Sequence, residues 1–148
     1  MISCCLALGS NQKNPERQLR QAIAEIRCLP KTNVDKISNL HWSKAWGNRS
    51  QQDFCNAVLL IHTDLTPNLL LAHCKKIESK HERVRKKRWG PRTLDIDIIL
   101  YGNRRINSRH LTIPHPYFLD REFVLAPLFE IKPELINKYG SKLSIETQ

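Results

Sequence analysis

The stretch Arg88-Trp89-Gly90-Pro91-Arg92-Thr93-Leu94-Asp95-Ile96-Asp97-Ile98-Ile99-Leu100 restricts the fold more than any other part of the chain. Branched apolar residues crowd its second half and imply a buried strand, in which side chains two apart share a face. Asp95 and Asp97 then point one way, while Leu94, Ile96 and Ile98 point the other. Two carboxylates about 7 Å apart along a strand can hold a hard cation, or a pair of them, against phosphate oxygens. Just upstream stand Arg83, Arg85, Lys86, Lys87, Arg88 and Arg92, a density of cation suited to a polyphosphate. Acids that hold metal beside bases that hold phosphate suggest phosphoryl transfer from a nucleotide, where positioning and charge neutralisation supply most of the catalysis. An Asp-x-Asp pair alone reads more readily as two solvated acids on a strand; the adjoining Trp89-Gly90-Pro91-Arg92 reverses that preference.

A chain of 148 residues, 41% hydrophobic and 26% charged, reads as one globular domain able to bury a core. It has no apolar run of the length a membrane span needs, so no membrane association is expected. Its opening, Met1-Ile2-Ser3-Cys4-Cys5-Leu6-Ala7-Leu8, lacks a basic leader and reads as a first strand rather than a signal peptide. The five cysteines show neither Cys-x-x-Cys spacing nor an even count, which predicts free, mostly buried thiols in a reducing cytoplasm. The net charge of +10 raises a nucleic-acid partner. Six of the 24 basic residues fall in residues 83–92, however, and the aromatic Gly-Phe-type strand motif of an RNA-recognition sheet is missing.

In chain order, residues 2–8 predict a strand, and Gly9-Ser10-Asn11 a turn where backbone comes close to something. Asn14 caps a helix with Pro15 at its first position, Glu16 in its first turn, and a buried stripe of Leu19, Ala22, Ile23 and Ile26. Residues 33–42 form a poorly alternating strand, and residues 43–53 a long polar loop in which Trp46 is either a lid or an anchor. Phe54-Cys55-Asn56-Ala57-Val58-Leu59-Leu60-Ile61 is a second clear strand with Phe54 and Asn56 on one face. An aromatic ring can stack on a heterocycle and a carboxamide can pair with its edge, although Phe54 read alone is a core residue. Thr66-Pro67 caps a second helix with a buried stripe of Leu70, Cys74 and Ile77; His73 and His81 beside it read as packed or surface residues rather than metal ligands. Tyr101-Gly102-Asn103-Arg104 predicts a hairpin turn with Ile106-Asn107 as the return strand. Asp120 caps a last helix that packs Val124, Leu125 and Leu128, where Phe123 by itself would be core.

The run Arg-Trp-Gly-Pro-Arg-Thr-Leu-Asp-Ile-Asp-Ile at residues 88–98 resembles the signature of the 6-hydroxymethyl-7,8-dihydropterin pyrophosphokinases, enzymes of folate synthesis. Leu6-Ala7-Leu8-Gly9-Ser10-Asn11 is similar to that family's opening strand, and Leu111-Thr112-Ile113-Pro114-His115 to its Leu-Thr-x-Pro-His run. The resemblance covers roughly residues 2–135. It implies transfer of the βγ-pyrophosphoryl group of ATP to the hydroxymethyl oxygen of the reduced pterin, leaving AMP. It also implies two Mg²⁺ ions on Asp95 and Asp97, with Arg83 and Arg92 stabilising the transition state. A pterin site follows from Ser43, Phe54, Asn56, Trp89 and Phe123, and an ATP site from Glu78, Arg85, Lys86, Arg92, Ile98, Thr112, His115 and Arg121. The sequence departs from the family at Ser43, where no proline follows, at His110, where arginine is common, and at Pro116, where an aromatic is common.

The order strand, helix, strand, strand, helix, strand is the split βαβ pattern of an α+β, ferredoxin-like βαββαβ sandwich, here with an appended hairpin and C-terminal helix. That topology serves many functions and selects none. A single pyrophosphokinase domain over residues 1–148 is expected, without the fused folate-pathway activities of some relatives. The expected state is a cytoplasmic monomer acting on small molecules. The rivals are a basic ferredoxin-like RNA-binding module, and a phosphatase or other Mg-nucleotide transferase using the same acids.

Overall fold

In the computed structural model, which describes residues 1–44, 53–81, 93–116 and 122–135, the first strand lies at the centre of the sheet. Strand β1 (Ile2–Ser10) is followed by helix α1 (Pro15–Arg27), strands β2 (Thr32–Ile37), β3 (His41–Ser43) and β4 (Phe54–Thr63), and helix α2 (Pro67–His81). Strands β5 (Asp95–Tyr101), β6 (Ile106–Asn107) and β7 (Thr112–Ile113) come next, then helix α3 (Glu122–Ile131) and a short 3₁₀ turn at Pro133–Leu135. The main sheet is antiparallel in the order β2-β4-β1-β5, with β3 also paired to β4. This is the ferredoxin-like arrangement expected from the element order.

The helices form where their termini are satisfied locally. Asn14 accepts the Arg17 N–H at 3.3 Å with Pro15 opening α1, and Thr66 Oγ1 accepts the Leu69 N–H at 3.3 Å at the start of α2. Their buried stripes, Leu19, Ala22 and Ile26 on α1 and Leu70, Cys74 and Ile77 on α2, cover one face of the sheet. That face carries Cys4, Leu6 and Leu8 of β1, Leu59 and Ile61 of β4, and Ile96 and Ile98 of β5. The other face carries Cys5, Ala7, Val58, Leu60, Ile99 and Leu100, and packs on Val124, Leu125, Leu128 and Ile131 of α3. A bulge makes this division possible: Cys5 pairs with Leu100 but Leu6 with Ile98, so Ile99 is an extra residue. Ile99 and Leu100 therefore both join the α3 side, and Tyr101 returns to the α1–α2 side.

Three local expectations are corrected. The strand expected over residues 33–42 is two strands, β2 and β3, interrupted at residues 38–40. Ser38 accounts for the break: its hydroxyl accepts the Val58 N–H at 2.9 Å while its own N–H donates to the Val58 carbonyl at 3.0 Å. The ladder is thus satisfied as the chain turns aside. Gly9 and Ser10 lie inside β1 rather than in a turn. The turn after β5 does form, with Gly102 at φ +54° and the Arg104 N–H donating to the Tyr101 carbonyl at 3.1 Å. The return strand does not pair back on β5, however: β6 pairs with β7, and the His115 N–H instead meets the Ile99 carbonyl at 3.0 Å.

All five cysteines are free, four of them buried and Cys28 exposed. Burial pushes the thiols of Cys4 and Cys74 up to about 12 and those of Cys5 and Cys55 up to about 11, so these four act as small apolar core residues. Among the described residues no helix is long and apolar enough to cross a membrane.

Candidate active site

Strand register assembles the site from rows of side chains. Gly9 pairs with Asn56 on one side and Asp95 on the other; Ala7 pairs with Val58 and Asp97. The α3-facing end of β1 therefore presents almost no side chain between two polar neighbours, which leaves a hollow. A Cβ at Gly9 would stand 3.0 Å from Asn56 Oδ1 and press on that side chain, so the constraint on Gly9 is close approach rather than a turn.

The hollow is a cavity of about 400 Å³ lined by Ala7, Gly9, Ser43, Lys44, Phe54, Asn56, Asp95, Asp97, Phe123 and Val124, among others. Asn56 is buried, and its amide nitrogen donates to Ser43 Oγ at 2.9 Å, which turns its oxygen toward Gly9. Phe54 is half-buried on β4 and Phe123 is 38% exposed in the first turn of α3. Neither is the core residue it would be by itself; both line the same cavity from separate elements. Helix α3 is held there by Glu130, whose two oxygens accept the Asn39 N–H at 3.2 and 3.1 Å and whose Oε2 lies 3.3 Å from His41 Nε2. The interruption between β2 and β3 thus serves as the seat of the helix that carries Phe123.

A second, more polar cavity of about 530 Å³ opens at the outer edge of β5. Its walls include Lys75 and Glu78 of α2, Asp95, Ile96, Asp97 and Ile98 of β5, and Arg109, His110, Thr112, His115 and Pro116. Glu78 Oε2 accepts the Ile96 N–H at 2.8 Å, satisfying an edge-strand donor between the two aspartates. Burial pushes the Glu78 carboxyl above its ordinary range; the Ile96 N–H and Lys75 oppose the shift, while Asp95 and Asp97 add to it. Asp95 and Asp97 line both cavities. The pair stands where an apolar, aromatic-walled chamber meets a polar, basic-walled one.

Of the residues expected at a site, Ser43, Phe54, Asn56 and Phe123 come together in the first cavity, and Glu78, Ile98, Thr112 and His115 in the second. Arg83, Arg85, Lys86, Trp89, Arg92 and Arg121, with Trp46 of the polar loop and the cap Asp120, lie outside the described residues. The departures His110 and Pro116 both stand in the wall of the second cavity. Sequence reasoning missed Ala7 as cavity floor, Lys44 in the first cavity and Arg109 in the second. The only available signal for Ala7 and Gly9 was a drop in side-chain size along an otherwise bulky strand. Among the described residues no group of three or more His, Cys, Asp or Glu could hold a metal. Two carboxylates still fit Mg²⁺, which is commonly held by one or two carboxylates, with substrate phosphates and water completing its shell. An RNA-binding platform is not favoured, because one sheet face is covered by α1 and α2 and the other by α3 beside two acids.

Comparisons with known proteins agree with this geometry. The family model described as 7,8-dihydro-6-hydroxymethylpterin-pyrophosphokinase matches residues 5–133. The chain is 46% identical over 136 residues to the 2-amino-4-hydroxy-6-hydroxymethyldihydropteridine pyrophosphokinase of Haemophilus influenzae, covering 92% of this chain and 85% of that one. It is 39% identical to the protein of the same name from Aquifex aeolicus, over 93% of this chain and 84% of that one. A bifunctional protein of Lactococcus lactis, FolKE, is 41% identical over 88% of this chain and 38% of its own length. With nearly its whole described sheet and both cavities inside the matched region, the chain belongs to the 7,8-dihydro-6-hydroxymethylpterin-pyrophosphokinase family.

Proposed function

We propose that this chain, as a single-domain monomer in the cytoplasm, transfers the βγ-pyrophosphoryl group of ATP to the hydroxymethyl oxygen of 6-hydroxymethyl-7,8-dihydropterin. The products are AMP and the pterin diphosphate, in folate biosynthesis. The observation that carries the reading is that Asp95 and Asp97 line both the aromatic cavity and the polar one. An acceptor in the first and a nucleotide in the second would meet at these carboxylates.

Phe54 and Phe123 offer ring faces to a flat heterocycle, and the Asn56 amide, oriented by Ser43, supplies polar contact at its edge. Thr112 and His115, in the wall of the second cavity, would hydrogen-bond phosphate or ribose oxygens, with Lys75 and Arg109 beside them balancing the charge. Arg83 and Arg92 stabilise charge on the transferred group, with Arg85, Lys86 and Arg121 binding ATP and Trp89 the pterin; these roles follow from the family motif. Asp95 and Asp97 would hold two Mg²⁺ ions, which would neutralise phosphate charge and lower the pKa of the acceptor hydroxyl. The hydroxyl oxygen then forms a bond to the β-phosphorus as the bond to the α-phosphate oxygen breaks, and the hydroxyl proton leaves to solvent. Four buried, unreactive thiols and no disulfide among five cysteines support the cytoplasmic placement.

The test is AMP release from Mg-ATP with and without 6-hydroxymethyl-7,8-dihydropterin, with Asp95→Ala as control. AMP that depends on pterin and disappears in the variant is expected. ADP as product, or AMP formed without pterin, would overturn the reading.

A further inference from the structure

A polar cluster away from both cavities bears on the reaction. The side chain of His81, the last residue of α2, is only 3% exposed and lies between two residues of α1. Its Nδ1 is 2.6 Å from Gln18 Oε1 and its Nε2 is 3.0 Å from Glu25 Oε1. Gln18 and Glu25 stand about two turns apart on one helix face, with small, buried Ala22 between them.

The orientation of Gln18 is set from its other end, because its Nε2 donates to the Lys13 carbonyl at 3.0 Å. Its oxygen therefore faces the imidazole as an acceptor, and the Glu25 carboxylate is an acceptor as well. Both ring nitrogens are therefore engaged by side-chain oxygens of α1. Glu25 Oε2 is buried with no hydrogen-bond partner among the described residues, so its Oε1 contact with His81 is what ties that side chain to α2.

Resting on the functional reading above, we infer that His81 is a positioning residue for the nucleotide side of the site. Clamped between Gln18 and Glu25, it fixes the last turn of α2 against α1. Glu78, three residues earlier and on the same side of the helix, then meets the Ile96 N–H between Asp95 and Asp97. The clamp holds the carboxylate-bearing strand to α2 at the point where the polar cavity opens.

The experiment uses the whole chain, its His81→Gln and Glu25→Gln variants, and the double variant. Affinity for α,β-methylene-ATP with Mg²⁺ should fall about threefold to tenfold in each single variant, and no further in the double. Affinity for the pterin should stay within about twofold, because the aromatic cavity is built from other elements. Additive losses in the double variant, or a lowered melting temperature with unchanged nucleotide affinity, would each overturn the inference. Wild-type protein that binds the analogue but makes no AMP defeats the functional reading alone, and the affinities still decide the clamp.

Discussion

Gly9→Ala is the substitution through which the row geometry of the site can be tested most directly. Adding a Cβ places carbon 3.0 Å from Asn56 Oδ1, tighter than ordinary van der Waals contact by a few tenths of an ångström. Gly9 lies in a central strand paired on both sides, so its backbone cannot retreat, and the Asn56 side chain must give. Displacing that amide spoils its 2.9 Å bond to Ser43 Oγ, the contact that orients it. A neutral hydrogen bond contributes about 0.5–1.5 kcal/mol net, so pterin affinity should fall about two- to twelvefold. The global fold should be little affected. Alanine in place of a strand glycine recovers roughly 0.5–1 kcal/mol of backbone entropy, about the size of the local strain. Pterin affinity is read by fluorescence titration in the presence of Mg-nucleotide analogue, with thermal melts in parallel. Unchanged pterin affinity at wild-type stability would refute the argument, because the cavity floor would then tolerate the added atom without Asn56 moving.

Three other outcomes follow from the same geometry. Asp97→Ala, tested in the AMP assay, should lose on the order of a thousandfold in turnover, and retained turnover would break the metal assignment. Arg92→Ala should lower turnover more than it weakens pterin binding in the same titration; an effect confined to pterin affinity would remove its phosphate role. Glu78 has a folded pKa raised above its unfolded value, chiefly by burial. The folded state therefore holds its proton more tightly, and stability from this group is present below the unfolded pKa and lost as pH rises through the folded one. Glu78→Gln keeps an acceptor for the Ile96 N–H without the charge, so its melting temperature should rise relative to wild type between acidic and neutral pH. A pH-independent difference would count against that cause.

Much of the site could be read from local pattern. Asp95 with Asp97, and Phe54 with Asn56, were paired by the two-residue repeat of a strand, and both pairs face the first cavity. The stripes of α1 and α2 followed from helical spacing in the same way. Phe123 was harder. Read alone it belonged in a core, and it reaches the cavity because α3 is seated by Glu130 on Asn39 and His41, about 90 residues away in sequence. Gly9 was read as part of a turn where backbone comes close to something; the turn is not there, and the close approach is that of Asn56 from a different strand.

Composition, periodicity and the contiguous motif by themselves determined the helices and the long strands, the direction in which the acids point, and the family. These depend on residues within a few positions of each other, where backbone geometry ties spacing to orientation. Only the tertiary structure decided the rest. It split the second strand at Ser38, sent β6 to β7 instead of β5, and buried His81 between Gln18 and Glu25. It also placed one pair of carboxylates on the border of two cavities. Each of these rests on which distant groups compete for the same hydrogen bonds and the same volume, and strand order with register settles that competition.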